Sequence, residues 1–186
     1  ILTRLVGSEM CIRDRDVTIQ ELENELILYL TNNNPLSNNF GEAYTAVDPG
    51  IPKELPDGTL LSEADRSYAF EGYQIYQLAE QGVSPAELGD VEKARLIYQC
   101  DIANDVENVV NYRYDDIMQA SVPELMANGD NEGIAHSFRV TKDAFAQGDN
   151  ALVNHKTYYF MALAYGYNNY GDFDPVLGTG QDLSLI

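Results

Sequence analysis

Apolar residues in this chain come in short runs between polar stretches rich in glycine and proline, a pattern of strands and turns. Glu25–Thr31 (ELILYLT) is continuous, apolar and short, and Asn32-Asn33-Asn34-Pro35 ends it, which predicts a buried strand. Tyr68–Leu78 (YAFEGYQIYQL) is the clearest strand, because from Tyr73 onward Tyr, Gln and Ile send side chains to opposite faces. Arg95–Ile102 and Val109–Tyr114 are two further candidates, with Ala103-Asn104-Asp105 as a turn between them. Gly133–Val140 puts Ile134, Phe138 and Val140 on one parity. Lys156–Tyr167 is apolar on both parities, as expected of a central strand covered on both faces. Asn38–Leu61, broken by Pro49, Pro52, Pro56 and Asp57-Gly58, reads as loop, and so does Pro123–Gly133.

Helix signals are few. Thr18 and Glu21 form a capping-box pattern that leaves a short helix over Asp16–Glu21 as an even alternative. Ser84-Pro85-Ala86-Glu87 offers an N-cap, a first-turn proline and an acidic residue. Asp143–Ala151 has room for one helical turn ending at Gly148. There is no repeat, heptad or interior boundary, so the pattern predicts one domain.

The ends of the chain change how its composition is read. RLVGSEMCIRDR (Arg4–Arg15) contains MCIRDR, which back-translates as ATG TGT ATA AGA GAC AG; the reverse complement begins CTG TCT CTT ATA, coding Leu-Ser-Leu-Ile, the residues at 183–186. Residues 1–15 and 183–186 therefore resemble translated sequencing-adapter scars, and the expected native part is 16–182, a piece of a longer protein. The chain carries 11 Lys+Arg and 30 Asp+Glu; without Arg4, Arg13, Arg15, Glu9 and Asp14 the counts become 8 and 28, a net charge of −20. No basic stripe exists to displace counterions from phosphate, which argues against nucleic acid and against anionic membranes. Cys11 falls in the scar, leaving Cys100 without a disulfide partner. No transmembrane run is present, and no membrane insertion is expected.

Two segments together resemble the fibronectin type III module. Gly72-Tyr73-Gln74-Ile75-Tyr76 matches a middle strand of the form G-Y-x-V-Y. Leu152–Ala164 (LVNHKTYYFMALA) matches a late strand of the form L-x-P-x-T-x-Y-x-F-x-V-x-A, with Leu152 and Tyr158 at the family's six-residue separation. The resemblance implies an all-β, two-sheet antiparallel sandwich in which the Tyr158 hydroxyl bonds back to backbone at a corner between sheets. The chain departs from the family in lacking the early-strand Trp, whose volume Leu28 or Tyr29 must fill. It is also longer, with insertions at 38–61 and 79–131 and one or two short helices among them. The resemblance further implies a secreted or cell-surface location, with neighbouring modules of the same chain as partners.

Candidate chemistry is sparse, and no catalytic, cofactor-binding or metal-ligating residue stands out. His136 and His155 are the two imidazoles, without HxH, HExxH or CxxC spacing. Cys100 alternates with Tyr98 and Ile102, as a buried structural thiol would. Asn128–Gly133 (NGDNEG) copies the first half of a calcium loop, but its twelfth position is Arg139, so it is no EF-hand. Asp172-Phe173-Asp174 is a second acidic loop. Calcium at either loop stands as an alternative to a solvated turn. Tyr165, Tyr167 and Tyr170 are candidate ligand contacts, because exposed aromatics stack on sugar rings or anchor a protein partner. The expected function is a non-catalytic structural or interaction module of a larger extracellular protein, with protein or glycan as ligand. The alternatives are a carbohydrate-binding module, calcium-assisted, and an accessory domain of a secreted hydrolase.

Overall fold

The computed structural model describes residues 16–33, 35, 41 and 44–185. The expected scar at 1–15, with Met10 and Ile12, lies outside the described residues, as does Ile186. β1 (Asp16–Leu22) folds back on β2 (Glu25–Thr31) through Glu23-Asn24. Asn24 takes the left-handed region at φ 56°, which asparagine tolerates better than most residues. Pairing from Asp16↔Thr31 to Leu22↔Glu25 makes the opening segment a strand, which corrects the helical alternative. The capping-box pattern had no apolar helical face behind it, whereas hairpin pairing gives the backbone groups facing β2 their partners along the whole strand.

The remaining strands are β3 (Thr45–Val47), β4 (Ser67–Leu78), β5 (Ala94–Asp101), β6 (Asn108–Asp115), β7 (Ala120–Asn128), β8 (Ser137–Val140) and β9 (Tyr159–Tyr167). One sheet has the order β1-β2-β8, with Leu28 opposite Phe138. In the other, β4 runs antiparallel between β5 and β9, and β3 pairs with its first residues. Leu28 and Leu30 of β2 and Phe138 and Val140 of β8 meet Phe70, Tyr73 and Ile75 of β4 and Ala164 of β9. The fold is thus an all-β sandwich of antiparallel sheets. Leu28, Tyr73 and Ile75 are completely screened from solvent; each such side chain stabilises the fold by roughly 1.5–3 kcal/mol. Cys100 belongs to the same core. At the entry to β9 the Val153 N–H donates to the Tyr158 hydroxyl at 2.8 Å, while Leu152 is buried beside it.

The outer face of β4 is covered too. Leu78, Val83 and Ala94 close one end of it, and Val109 and Ala127 at the base of the β6–β7 hairpin pack on Tyr165 at the other. The strand covered on both faces is therefore β4, not β9. The reason is position: β4 has β5 on one side and β9 on the other, while β9 pairs further only at the Tyr167↔Leu185 bridge among the described residues.

Two other expectations are corrected. Pro123 lies inside β7, opposite Tyr112, where loop was expected. Among the described residues β7 pairs with β6 alone, and a residue without an N–H is accommodated on its outer edge. Asp143–Ala151 is not helical: Asp143 N–H donates to Asn150 O, Asp143 Oδ1 takes the Phe145 N–H, and Gly148 turns at φ 105°. The one helical element described is a 3-10 turn at Pro85–Glu87, its start closed by Glu87 accepting from the Ser84 N–H and hydroxyl.

Beyond β9 the chain turns at Asp174–Thr179 and returns as Gln181–Leu185 between the middle of β6 and the end of β9. Ser184 O accepts from Asn168 N–H, Asp182 O from Tyr112 N–H, and Leu183 O from the buried Tyr68 hydroxyl at 2.6 Å. Most of these contacts use backbone groups, which every sequence carries. Among the described residues no helix is long and apolar enough to cross a membrane.

Candidate functional site

Sequence alternation breaks down in β4 at Phe70-Glu71-Gly72, where the register with β9 shifts by one residue. The bulge leaves Phe70 in the inner core and puts Glu71 under cover at 4% exposure. Gly72 then lies opposite Asp101 of β5 and Tyr165 of β9, so one row crosses three strands. A Cβ at position 72 would come within 2.2 Å of Cys100 O and 2.7 Å of the Tyr165 hydroxyl. Glycine is required because the tyrosine ring occupies that space.

Two carboxylates are buried in this region. Asp101 is 1% exposed; its Oδ1 accepts from the backbone N–H groups of Asp130 and Asn131, 3.1 Å each, while Oδ2 has no hydrogen-bond partner. Glu71 Oε2 accepts from Asn104 Nδ2 at 2.9 Å, and Oε1 is likewise buried without a partner. Burial raises the Glu71 pKa; the Asn104 hydrogen bond opposes this and the nearby Asp101 charge adds to it. The Tyr165 hydroxyl is pushed well above the usual phenol range by burial and by Asp101 and Glu71. The loop that resembled half a calcium site therefore is anchored, through the backbone of Asp130 and Asn131, on an aspartate thirty residues earlier. Sequence reading missed the pair; the available signal was Glu71 as the single charged residue of the strand Ser67–Leu78.

A third buried carboxylate is differently placed. Asp143, 4% exposed, accepts from Gln77 Nε2 at 2.7 Å, from the Phe145 N–H and from Lys156 Nζ at 2.5 Å. Burial pushes its pKa up, but the bonds from Lys156, Phe145 and Gln77 prevail and hold it below the ordinary range.

Of the three tyrosines expected as ligand contacts, Tyr165 is 3% exposed and belongs to the cluster under the β6–β7 hairpin. That corrects its reading as a surface contact: its strand parity points at the hairpin base. Tyr167 and Tyr170 are half-buried, and burial raises both pKa values. His136 stands beside Tyr73, ring centroids 6.3 Å apart, and His155 sits in the turn before β9, so the fold does not bring them together. Asp174 Oδ1 caps its own turn by accepting from Val176 and Leu177 N–H.

Surface features are few. A cleft of about 360 Å³ lies between the β1–β2 hairpin and the approach to β9, lined by Ile19, Leu22, Leu26, His155 and Phe160. The β6–β7 hairpin is anchored at its base by Val109 and Ala127, but its far end carries Ile117 at 94% and Met118 at 69% exposure. Tyr114 and Leu125 are also exposed along it. Among the described residues no three His, Cys, Asp or Glu converge in the manner of a metal centre. No family model, curated protein or solved structure matches the chain.

Proposed function

We propose that this chain is a non-catalytic interaction module of fibronectin type III kind, working within a larger extracellular or cell-surface protein. The observation that carries the interaction reading is the β6–β7 hairpin. Its base is fixed in the sandwich while Ile117 and Met118 stand in solvent at the tip. Large apolar side chains displayed together on a projecting ribbon gain by burial against a partner. That partner is a neighbouring module of the same protein.

Two features support the family reading. The first two strands share a sheet with a later one, while the middle and last strands form the other, as in immunoglobulin-like sandwiches. The Val153–Tyr158 bond is the backbone-to-tyrosine corner that the Leu152…Tyr158 spacing implied. The carbohydrate reading keeps only Tyr167 and Tyr170 as contacts and ranks second.

The test places a photo-crosslinking residue at 117 or 118 in the parent protein. Crosslinks to an adjacent module are expected, and Ile117→Ser with Met118→Ser should lengthen the particle in small-angle scattering. Tip residues that crosslink to nothing, with unchanged dimensions, would remove the reading. Glycan binding that Tyr167→Ala and Tyr170→Ala abolish would favour the carbohydrate module instead.

A further inference from the structure

The geometry points to a cation site beside the Phe70–Gly72 bulge of β4: Glu71 and Asp101, with the Val106 carbonyl, hold one calcium ion. Each carboxylate is fixed through one oxygen, Glu71 Oε2 by Asn104 and Asp101 Oδ1 by Asp130 and Asn131 N–H. The other oxygen of each, Glu71 Oε1 and Asp101 Oδ2, is buried and has no hydrogen-bond partner. Neither residue belongs to an ion pair among the described residues. Uncompensated buried charge is strongly unfavourable, and here two such carboxylates are neighbours across β4 and β5, where Gly72 lies opposite Asp101 and the Ile102 N–H donates to Glu71 O. A divalent cation supplies the missing charge and ligates the unpartnered oxygens at once.

Donor type selects the ion. All available donors are hard oxygens, and no histidine or thiolate side chain is part of the donor set, which suits calcium over zinc. Calcium also accepts mixed carboxylate and backbone-carbonyl ligands with loose geometry, where magnesium demands a regular octahedron. Val106 supplies such a carbonyl. A Cβ on Gly129 would fall 1.8 Å from Asp101 Oδ2 and 3.2 Å from Val106 O, so the two oxygens lie close together on one side of Gly129, which has no side chain to come between them. The site differs from the Asp172–Asp174 loop, and it uses the Asn128–Gly133 loop for backbone support, not as an EF-hand.

Calorimetric titration of the chelator-treated chain with calcium chloride, paired with melting curves, tests this. One calcium per chain is expected, with Tm rising by roughly 5 °C at a hundredfold excess over Kd and chelator reversing it. Glu71→Gln and Asp101→Asn should each lose that rise, while their calcium-free Tm equals or exceeds that of the parent chain. Asp172→Asn with Asp174→Asn should keep the full response. Circular dichroism checks that each variant folds, and Glu71→Gln decides alone if Asp101→Asn does not. The proposal is overturned if calcium leaves heat and Tm unchanged. It is equally overturned if the response survives Glu71→Gln or follows Asp172 and Asp174.

Discussion

Strand β4 carries a buried polar residue towards each end, Gln77 at one and Glu71 at the other, and the two ends are balanced in opposite ways. They stand six residues, about 20 Å, apart. At the Gln77 end, Asp143 is met by an amide, a backbone N–H and a lysine, so its charge is compensated inside the fold. At the Glu71 end, two carboxylates share amide and backbone donors, and each keeps one oxygen without a partner. The first arrangement is what a structural anchor requires: it ties the turn after β8 and the lysine before β9 to the central strand. The second does little for stability by itself, because desolvated charge is left over. Surplus charge in a well-packed row of strands is the mark of a site built for something other than holding the sandwich together.

The contrast can be broken from its strong side first. Asp143→Ala should destabilise the chain by about 3 kcal/mol in urea titration, because it orphans buried Gln77 and the Phe145 N–H together. Gly72→Ala comes next, at about 2 kcal/mol, since its Cβ would collide with Cys100 O and the Tyr165 hydroxyl. Glu71→Gln should act in the other direction, stabilising the calcium-free chain at neutral pH by about 1 kcal/mol.

The pH dependence sharpens the difference. Asp143 has a lowered folded pKa, so its contribution is present above the unfolded value of 3.8 and is lost as pH falls through the folded one. Glu71 has a raised folded pKa, so the folded state binds more protons between 4.5 and that value, and stability falls as pH rises through this window. Denaturation midpoints measured from pH 3 to pH 7 should therefore lose the low-pH decline in Asp143→Asn and the rise-linked decline in Glu71→Gln. Equal pH profiles for these two variants would remove the distinction. The smallest effect belongs to the hairpin tip: Ile117→Ser and Met118→Ser should leave Tm within about 1–2 °C, since exposed side chains contribute within about 0.5 kcal/mol.

Much of the architecture was written in hydrophobic pattern. Glu25–Thr31 is a strand over the very residues its apolar run spans, and Tyr68–Leu78 is extended by a single residue at its start. The turn at Ala103–Asp105 is present, with Asp105 at φ 68°. What the pattern could not carry was pairing. Asp16–Leu22 became a strand because β2 offered it an edge, and Pro123 sits in a strand because among the described residues β7 pairs only with β6. Lys156–Tyr167 looked doubly covered because its apolar residues fall on both parities. The sheet, however, gave that place to β4, whose Gln74 and Gln77 bury polar groups with partners supplied by Met126 O and Asp143.

The candidate site shows the same division. Local spacing marked the Asn128–Gly133 loop as rich in oxygen donors, and it marked Gly72 as part of a strand motif. Tertiary structure alone joined Glu71, Asp101, Val106 and Gly129, which lie up to 58 positions apart in the chain. Sequence by itself determined the strand-and-turn class, the excess of acidic residues and the bond between the Tyr158 hydroxyl and nearby backbone, because each depends on composition or on residues close in the chain. Which strand lies at the centre, which tyrosine is buried and where charge goes uncompensated depend on neighbours brought in by cross-strand register. Those neighbours are fixed by the backbone hydrogen bonds of the whole sheet, not by any local run of side chains.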